Sequence, residues 1–334
     1  MRRREFLALT GIAASVAASS ALQPWRALAQ APGVPYPAVA GTVTIVSPFT
    51  AGGTTDILAR IIADKLAPVL GRTVIVDNRP GAGGAIGSTA AARAAPDGLT
   101  LLVGHIGTLG VNPSLYASLG YDPLKSFDYV APLALVPNVL VVHPAVPAAD
   151  VAELIVHAKA NAGKLNYSSA GQGSAAHIAM AAFNIAAGTT MTHVPYRGTS
   201  QSVGDLIAGQ VQLTMTGVLS VLPHVRAGTL RGLGVSTLKR LAVAPEIPAV
   251  AETLKDFEAS QWYGLVAPAG TPPQLVERLT AEIRTIMTSP DIAARLAREG
   301  AEHWDISPDA FRAHVAAEIP RWKGVIEAAK IKVE

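Results

Sequence analysis

Thr50-Ala51-Gly52-Gly53-Thr54-Thr55-Asp56 follows a strand-like run at Thr42–Ser47, and Ser169-Ala170-Gly171-Gln172-Gly173-Ser174 follows another at Leu165–Ser168. Each Gly-rich stretch opens a helix. After the first, Leu58, Ile61, Ile62, Leu66 and Val69 recur at helical spacing until Gly71 stops the pattern. After the second, the helix covers Ala175–Ala187. A short apolar strand, a Gly-rich turn and a helix start make a βα unit. The same unit therefore occurs once near residue 45 and again near residue 167.

The neighbouring segments extend both units. Thr73–Val76 reads as a second strand, followed by Asn78-Arg79-Pro80-Gly81-Ala82-Gly83-Gly84 and an Ala-rich helix to Ala95. Pro96-Asp97-Gly98 turns the chain into a third strand, Leu99–Val103. This βαβαβ order predicts a parallel sheet covered by helices. Asn112–Val136 reads as loop-rich, Val139–Val142 as a strand, and Ala149–Ala160 as a helix. Thr192–Val194, Val211–Met215 and Leu230–Val235 read as further strands, and Trp262-Tyr263 begins a late one. Thr271-Pro272 and Ser307-Pro308 open two later helices, because proline suits a first helical turn. The prediction is an α/β fold of two lobes with a central cleft. Lobe 1 takes residues 38–142 plus 237–334 and lobe 2 takes 143–236. The hinge falls near Val142–Pro144 and Ser236–Thr237. Ligands bind at the carboxyl ends of parallel strands, and both Gly-rich loops sit there.

Composition narrows the function. Of 334 residues, 50% are hydrophobic and 15% charged, with a mean hydropathy of +0.34, so a sizeable core is available. Cysteine is absent, which excludes disulfides, thiolate metal sites and a cysteine nucleophile. The net charge of +3 belongs to the N-terminus. Residues 1–29 carry four arginines against one glutamate, and the remainder balances. The basic excess that nucleic-acid binding requires is missing from that remainder. Arg2-Arg3-Arg4, the mildly apolar Phe6–Leu22 and Ala27-Leu28-Ala29 form a signal-peptide pattern, and Arg3-Arg4-Glu5-Phe6-Leu7 matches a twin-arginine leader. Residues 1–29 are thus expected to be a cleaved Tat-type signal peptide and the mature chain periplasmic. No later stretch has 18 uninterrupted apolar residues.

The first turn of a helix presents unpaired N–H groups and about half a positive charge. Two such turns, dressed with the hydroxyls of Thr50, Thr54, Ser169 and Ser174, can hold a carboxylate without a cationic side chain at every contact. Other chemistry lacks a signature. Neither loop carries a P-loop lysine, and Gly81–Gly87 misses the dinucleotide fingerprint at Ile86. Neither Gly-x-Ser-x-Gly nor His-Glu-x-x-His occurs, and the eight histidines are scattered. No catalytic residue, metal or cofactor is expected. His177, one turn into the second helix, either faces the cleft or packs on the sheet. Asp56 either complements the helix dipole, accepts from a ligand, or braces its loop. Arg197 either supplies one positive charge to a second carboxylate or forms a surface ion pair.

These residues resemble the substrate-binding proteins of tripartite tricarboxylate transporters, the Bug family. The resemblance runs from Thr42 to the C-terminus. It is carried by Pro48-Phe49 with Gly52-Gly53-x-x-Asp56, by Asn78–Gly84, by Ala95-Pro96-Asp97-Gly98, by Asn138–Pro144 and by Tyr167–Ser174. His193-Val194-Pro195-Tyr196-Arg197-Gly198, Pro223-His224 and Ala267–Pro272 complete it. The resemblance implies a type II-like, Venus-flytrap clamshell that closes on a small carboxylate and delivers it to membrane permease subunits, acting as a monomer. It implies ligand contacts from Phe49, Thr50, Gly52, Gly53, Thr54 and Asp56, from Thr108, and from Tyr196 and Arg197. It also implies contacts from Ser169, Ala170, Gly171, Gln172, Gly173 and Ser174 with His177. The chain departs from the pattern at Thr50-Ala51, at Gln172, and at Met215-Thr216-Gly217, where an Asp-containing stretch is common. The competing functions are an exported α/β hydrolase-like enzyme and a ligand-presenting module for a receptor kinase.

Overall fold

Val43-Thr44-Ile45-Val46-Ser47 forms β1, buried along nearly its whole length as a central parallel strand must be. The computed structural model describes residues 41–332, which form one compact unit. The signal peptide expected at residues 1–29 lies outside them. From β1 the chain continues through α1 (Thr54–Leu70), β2 (Val74–Asn78), α2 (Ala85–Ala92), β3 (Thr100–His105) and α3 (Asn112–Leu115). Next come β4 (Phe127–Val136), β5 (Asn138–Val142), α4 (Val151–Ala160), β6 (Asn166–Ser169), α5 (Ala175–Ala187) and β7 (Thr192–Pro195). Then follow α6 (Thr199–Ile207), β8 (Leu213–Gly217), α7 (Val218–Arg226), β9 (Arg231–Val235) and β10 (Gln261–Pro268). The chain closes with α8 (Pro273–Met287), α9 (Pro290–Arg298), β11 (Glu302–His303) and α10 (Pro308–Ala328).

Two sheets carry the two lobes. The first has the order β11-β4-β10-β3-β1-β2, with β1 parallel to both β2 and β3 and the other pairs antiparallel. The second has the order β7-β6-β8-β5-β9, with β6 parallel to both β7 and β8. Parallel strands followed by helices place α1 at the end of β1 and α5 at the end of β6, as the two Gly-rich units predict.

Two expectations need correction. Asn112–Val136 is not all loop, because Phe127–Val136 is the ten-residue β4, held between β10 and β11. Pro132 obscures it in sequence, since proline argues against a central strand. The register shifts there: Gly264 pairs Pro132 while Tyr263 pairs Ala134, so the missing N–H falls at a bulge. The lobe boundaries also move. Val139–Val142 belongs to β5 in the second sheet, so the chain crosses at Pro137 and not at Val142–Pro144. Much of the stretch 237–260 packs with the second sheet, where Val250, Phe257 and Ala259 share a core with Leu140, Leu154 and Leu233. The return crossing lies between Ala259 and Gln261.

Both crossings are tied at one place. Asn138 N–H donates to Ser236 Oγ at 2.8 Å, and Asn138 Nδ2 donates to the Ala259 carbonyl at 2.5 Å. Gln261 Nε2 donates to Asn138 Oδ1, and Tyr263 Oη donates to Gln261 Oε1. A separate apolar cluster joins the lobes, with Ala175 and Ile178 of α5 among Ile106, Leu109, Val111 and Leu115.

Candidate functional site

Strand ends and helix starts converge on a cavity between the sheets. From the first lobe it is lined by Phe49, Thr54, Thr55, His105, Gln261 and Tyr263. From the second it is lined by Ala170, Ser174, Ala175, Ala176, Thr199 and Thr216. Thr54 and Thr55 open α1, Ala175 and Ala176 open α5, and Thr199 opens α6. Thr216 sits at the end of β8, just before α7. The free first-turn N–H groups of three helices therefore meet at one point. A wider groove of about 1160 Å³ lies between β4, α8 and α10, but the second lobe supplies none of its lining residues.

The lobes are drawn together here, leaving about 20 Å³ inside the cavity, room for about one water. Tyr116 Oη donates to the Gln172 carbonyl at 3.3 Å, and Ser200 Oγ donates to the Ala51 carbonyl. Thr54 Oγ1 and Ser220 Oγ lie 3.4 Å apart. Gly83 has a φ of +57°, and a Cβ built on it would lie 1.9 Å from the Gln172 carbonyl oxygen. Only glycine lets the two loops approach this closely.

The lining carries no charged side chain. Its imidazole, His105, is 3% exposed, and burial holds its pKa down at about 3, so it is neutral at physiological pH. Ser174 Oγ is buried with no protein partner, although Ser174 is the N-cap of α5. Three helix starts of about +0.5 charge each face the space instead. Such a site matches an anion better than a cation. Among the described residues, no cluster of three acidic or histidine side chains could hold a metal.

Of the residues expected from sequence, Phe49, Thr54, Ala170 and Ser174 line the cavity. The others lie outside the lining. Asp56 is 3% exposed and accepts from Gly52 N–H at 2.9 Å, from Arg60 Nε at 2.9 Å and from Asn78 Nδ2 at 3.0 Å. Burial alone would raise its pKa, but these donors outweigh burial and lower it. Of its three sequence roles it is the loop brace. Gly53 N-caps α1, and Thr50 packs against Gly198 of the other lobe. Thr108 is fully buried, and its Oγ1 accepts from His105 N–H at 3.1 Å.

In the second lobe, Gly171 N–H donates to Ser169 Oγ at 3.1 Å, and Gly173 N–H donates to His177 Nδ1 at 3.1 Å. His177 thus supports the loop from beneath. Its ring stacks on His193 with centroids 3.9 Å apart. Ser169 Oγ lies 2.6 Å from His193 Nε2, a pairing that could suggest a nucleophile and base. Ser169 is fully buried and absent from the lining, and burial and the His177 charge depress the His193 pKa to about 3. The pair clamps the loop. Tyr196 Oη donates to Asp205 at 2.7 Å, and Arg197 is exposed, so neither lines the cavity.

Sequence reasoning placed Thr55 within the first loop and Thr216 in a stretch that departs from the family pattern, without naming either as a contact, and missed His105, Ala175, Ala176, Thr199, Gln261 and Tyr263. Thr55, Ala175 and Ala176 follow directly once the two helix starts are placed. His105 and Thr216 sit at the carboxyl ends of β3 and β8, which is the general rule for ligand residues in such sheets. Gly198 before α6 was a further available sign. Tyr263 stood out only as an aromatic at the start of a late strand, where core and cleft are alternatives, and Gln261 beside it had no sign.

Residues 58–331 match the family described as "Tripartite tricarboxylate transporter family receptor". The chain is 34% identical over 331 residues to Protein BugT of Bordetella pertussis, covering 98% of this chain and 96% of that one. Among solved structures, R. palustris Rpa4515 with adipate superposes with a TM-score of 0.85 at 36% identity, covering 87% of this chain and 98% of that one. The periplasmic binding protein BugD superposes with a TM-score of 0.84 at 34% identity, covering 88% and 99% respectively. The cleft between two α/β lobes and the match over most of the chain agree: the protein belongs to the tripartite tricarboxylate transporter receptor family.

Proposed function

We propose that this protein is a periplasmic solute-binding protein that captures a small organic carboxylate between its lobes and delivers it to membrane transport subunits. The observation that carries this is the convergence of the α1, α5 and α6 starts on a cavity with no charged side chain. Rpa4515, solved with adipate, supports the ligand class. The name of BugD, together with the twin-arginine pattern at residues 1–29, supports the compartment. The lobes divide at Pro137 and between Ala259 and Gln261, and the Asn138–Ser236–Gln261 cluster is the hinge. Capture works through contacts that exist only when the lobes meet, so the ligand shifts an open–closed equilibrium towards closed.

Native mass spectrometry of the purified protein, followed by a thermal-shift screen of mono-, di- and tricarboxylates, tests the ligand class. A ligand at one hundred times its Kd stabilises the folded state by about 2.7 kcal/mol. The expected result is a rise in melting temperature with at least one carboxylate and none with cationic amines. No response across the carboxylates, or turnover of a bound acid, overturns the reading.

A further inference from the structure

His105 closes β3, and its ring orientation is set from several sides. Gly107 N–H donates to Nδ1 at 2.6 Å. A ring nitrogen that accepts a hydrogen bond carries no proton, so the neutral imidazole is the Nε2–H tautomer. Phe49 stacks on the ring with centroids 4.9 Å apart, and Tyr263 meets it edge-on at 5.7 Å. A Cβ on Gly107 would lie 2.4 Å from the ring Cε1, so the backbone presses against it as well. The cavity therefore holds one fixed, neutral N–H donor on the first-lobe side.

Around it, the lining offers hydroxyl oxygens but no anionic acceptor. The Gln261 carbonyl oxygen takes the Tyr263 hydroxyl proton, and the Gln261 amide donates to Asn138. No carboxylate lines the cavity, and the nearby Asp56 is occupied by Arg60, Asn78 and Gly52. A ligand ammonium would face an N–H and no anionic partner, which is a costly arrangement in a buried site.

We propose that His105 is a specificity-determining residue: its Nε2–H donates to a second oxygen of the ligand, beyond the carboxylate held at the helix starts. The site thereby selects carboxylates with a further oxygen acceptor and refuses those with an ammonium in its place. This rests on the carboxylate reading above and adds the chemistry of the ligand's other end.

Calorimetry on the mature protein with succinate, L-malate, L-aspartate and butyrate tests it, because these acids share four carbons and differ in their polar groups. The wild type should bind malate or succinate at least tenfold more tightly than butyrate, and aspartate at least tenfold more weakly than malate. His105→Asn keeps an acceptor for Gly107 N–H but has no atom at the Nε2 position. It should lose at least tenfold towards succinate and malate and clearly less towards butyrate, with circular dichroism still reporting a folded protein. His105→Gln carries a donor out to that position and should recover part of the loss. Unchanged binding in His105→Asn, an equal loss for every acid, or aspartate matching malate in the wild type overturns the proposal. If none of the four binds the wild type, this inference fails, while the carboxylate reading is judged by the broader screen.

Discussion

Asp56 and Ser174 show how two polar residues at matching helix starts take different work. Asp56 is surrounded by donors from its own lobe and has no valence left for a ligand. The Ser174 hydroxyl bonds nothing in the protein although the residue is 2% exposed. Ser174→Ala should therefore weaken ligand binding about tenfold, the worth of one hydrogen bond, with little change in melting temperature; calorimetry and a thermal melt together read it. Gly83→Ala acts by contact, because its Cβ would meet the Gln172 carbonyl of the other lobe. Affinity should fall by at least about tenfold while circular dichroism still reports a folded protein. A left-handed alanine costs only about 1–2 kcal/mol locally, so loss of binding with retained fold identifies blocked closure.

The buried imidazoles make a separate prediction about pH. Burial depresses the pKa of His105 to about 3, of His177 to about 4 and of His193 to about 3. In the unfolded chain each takes up a proton near pH 6.5. Between pH 6.5 and about 4 the unfolded state thus binds more protons, and stability falls as pH drops through that window. Above pH 6.5 the three make no pH-dependent contribution. Each contributes a slope of at most about 1.4 kcal/mol per pH unit. Denaturant titrations at a series of pH values should show His193→Asn with a shallower slope than the wild type; an identical slope refutes the assignment.

At the level of elements, the segment Ile106–Val111 between β3 and α3 is π-helical, and it packs against α10. Glu318 ties α10 to β10 beneath it. Its carboxylate accepts from Trp322 Nε1 at 2.8 Å, from Trp262 Nε1 at 3.2 Å and from Arg321 at 2.8 Å. Burial would raise its pKa, and these donors reverse that to a lowered one. Glu318→Ala leaves two buried indole N–H groups unpaired and should cost about 2–4 kcal/mol in denaturant unfolding. Because Trp262 adjoins Gln261 and Tyr263 in β10, its fluorescence should also report ligand binding in the wild type.

For the whole molecule, the loop contacts between lobes describe a closed arrangement. Ser200 of the second lobe donates to the Ala51 carbonyl of the first. The chain has no cysteine, so an Ala51→Cys/Ser200→Cys pair can be read without background. Its disulfide should form faster when a ligand is present, and the cross-linked protein should neither release bound ligand nor take up new ligand. A cross-linking rate indifferent to every ligand that raises the melting temperature would show that these loops do not part.

Local patterns account for much of the architecture. The alternation of apolar runs and striped helices announces an α/β fold, and glycines before Thr54 and Ser174 mark two helix starts that do line the cavity. These signals survive in one dimension because helix periodicity, turn chemistry and capping act within a few residues. β4 was hidden because Pro132 speaks against a strand unless the bulge beside it, where Leu133 is the extra residue, is known. The true crossings at Pro137 and before Gln261 were hidden because strand membership depends on which sheet a strand joins. His105, Gln261 and Tyr263 come together from β3 and β10, far apart in the chain, through antiparallel pairing that no local pattern encodes. The chain's own order of residues thus specified the fold class and the two Gly-rich loops whose helix starts line the cavity. Only the tertiary structure decided the stacking of His105 between Phe49 and Tyr263, the Asn78 contact that completes the brace at Asp56, and the uncharged lining, because each depends on neighbours brought in from distant segments.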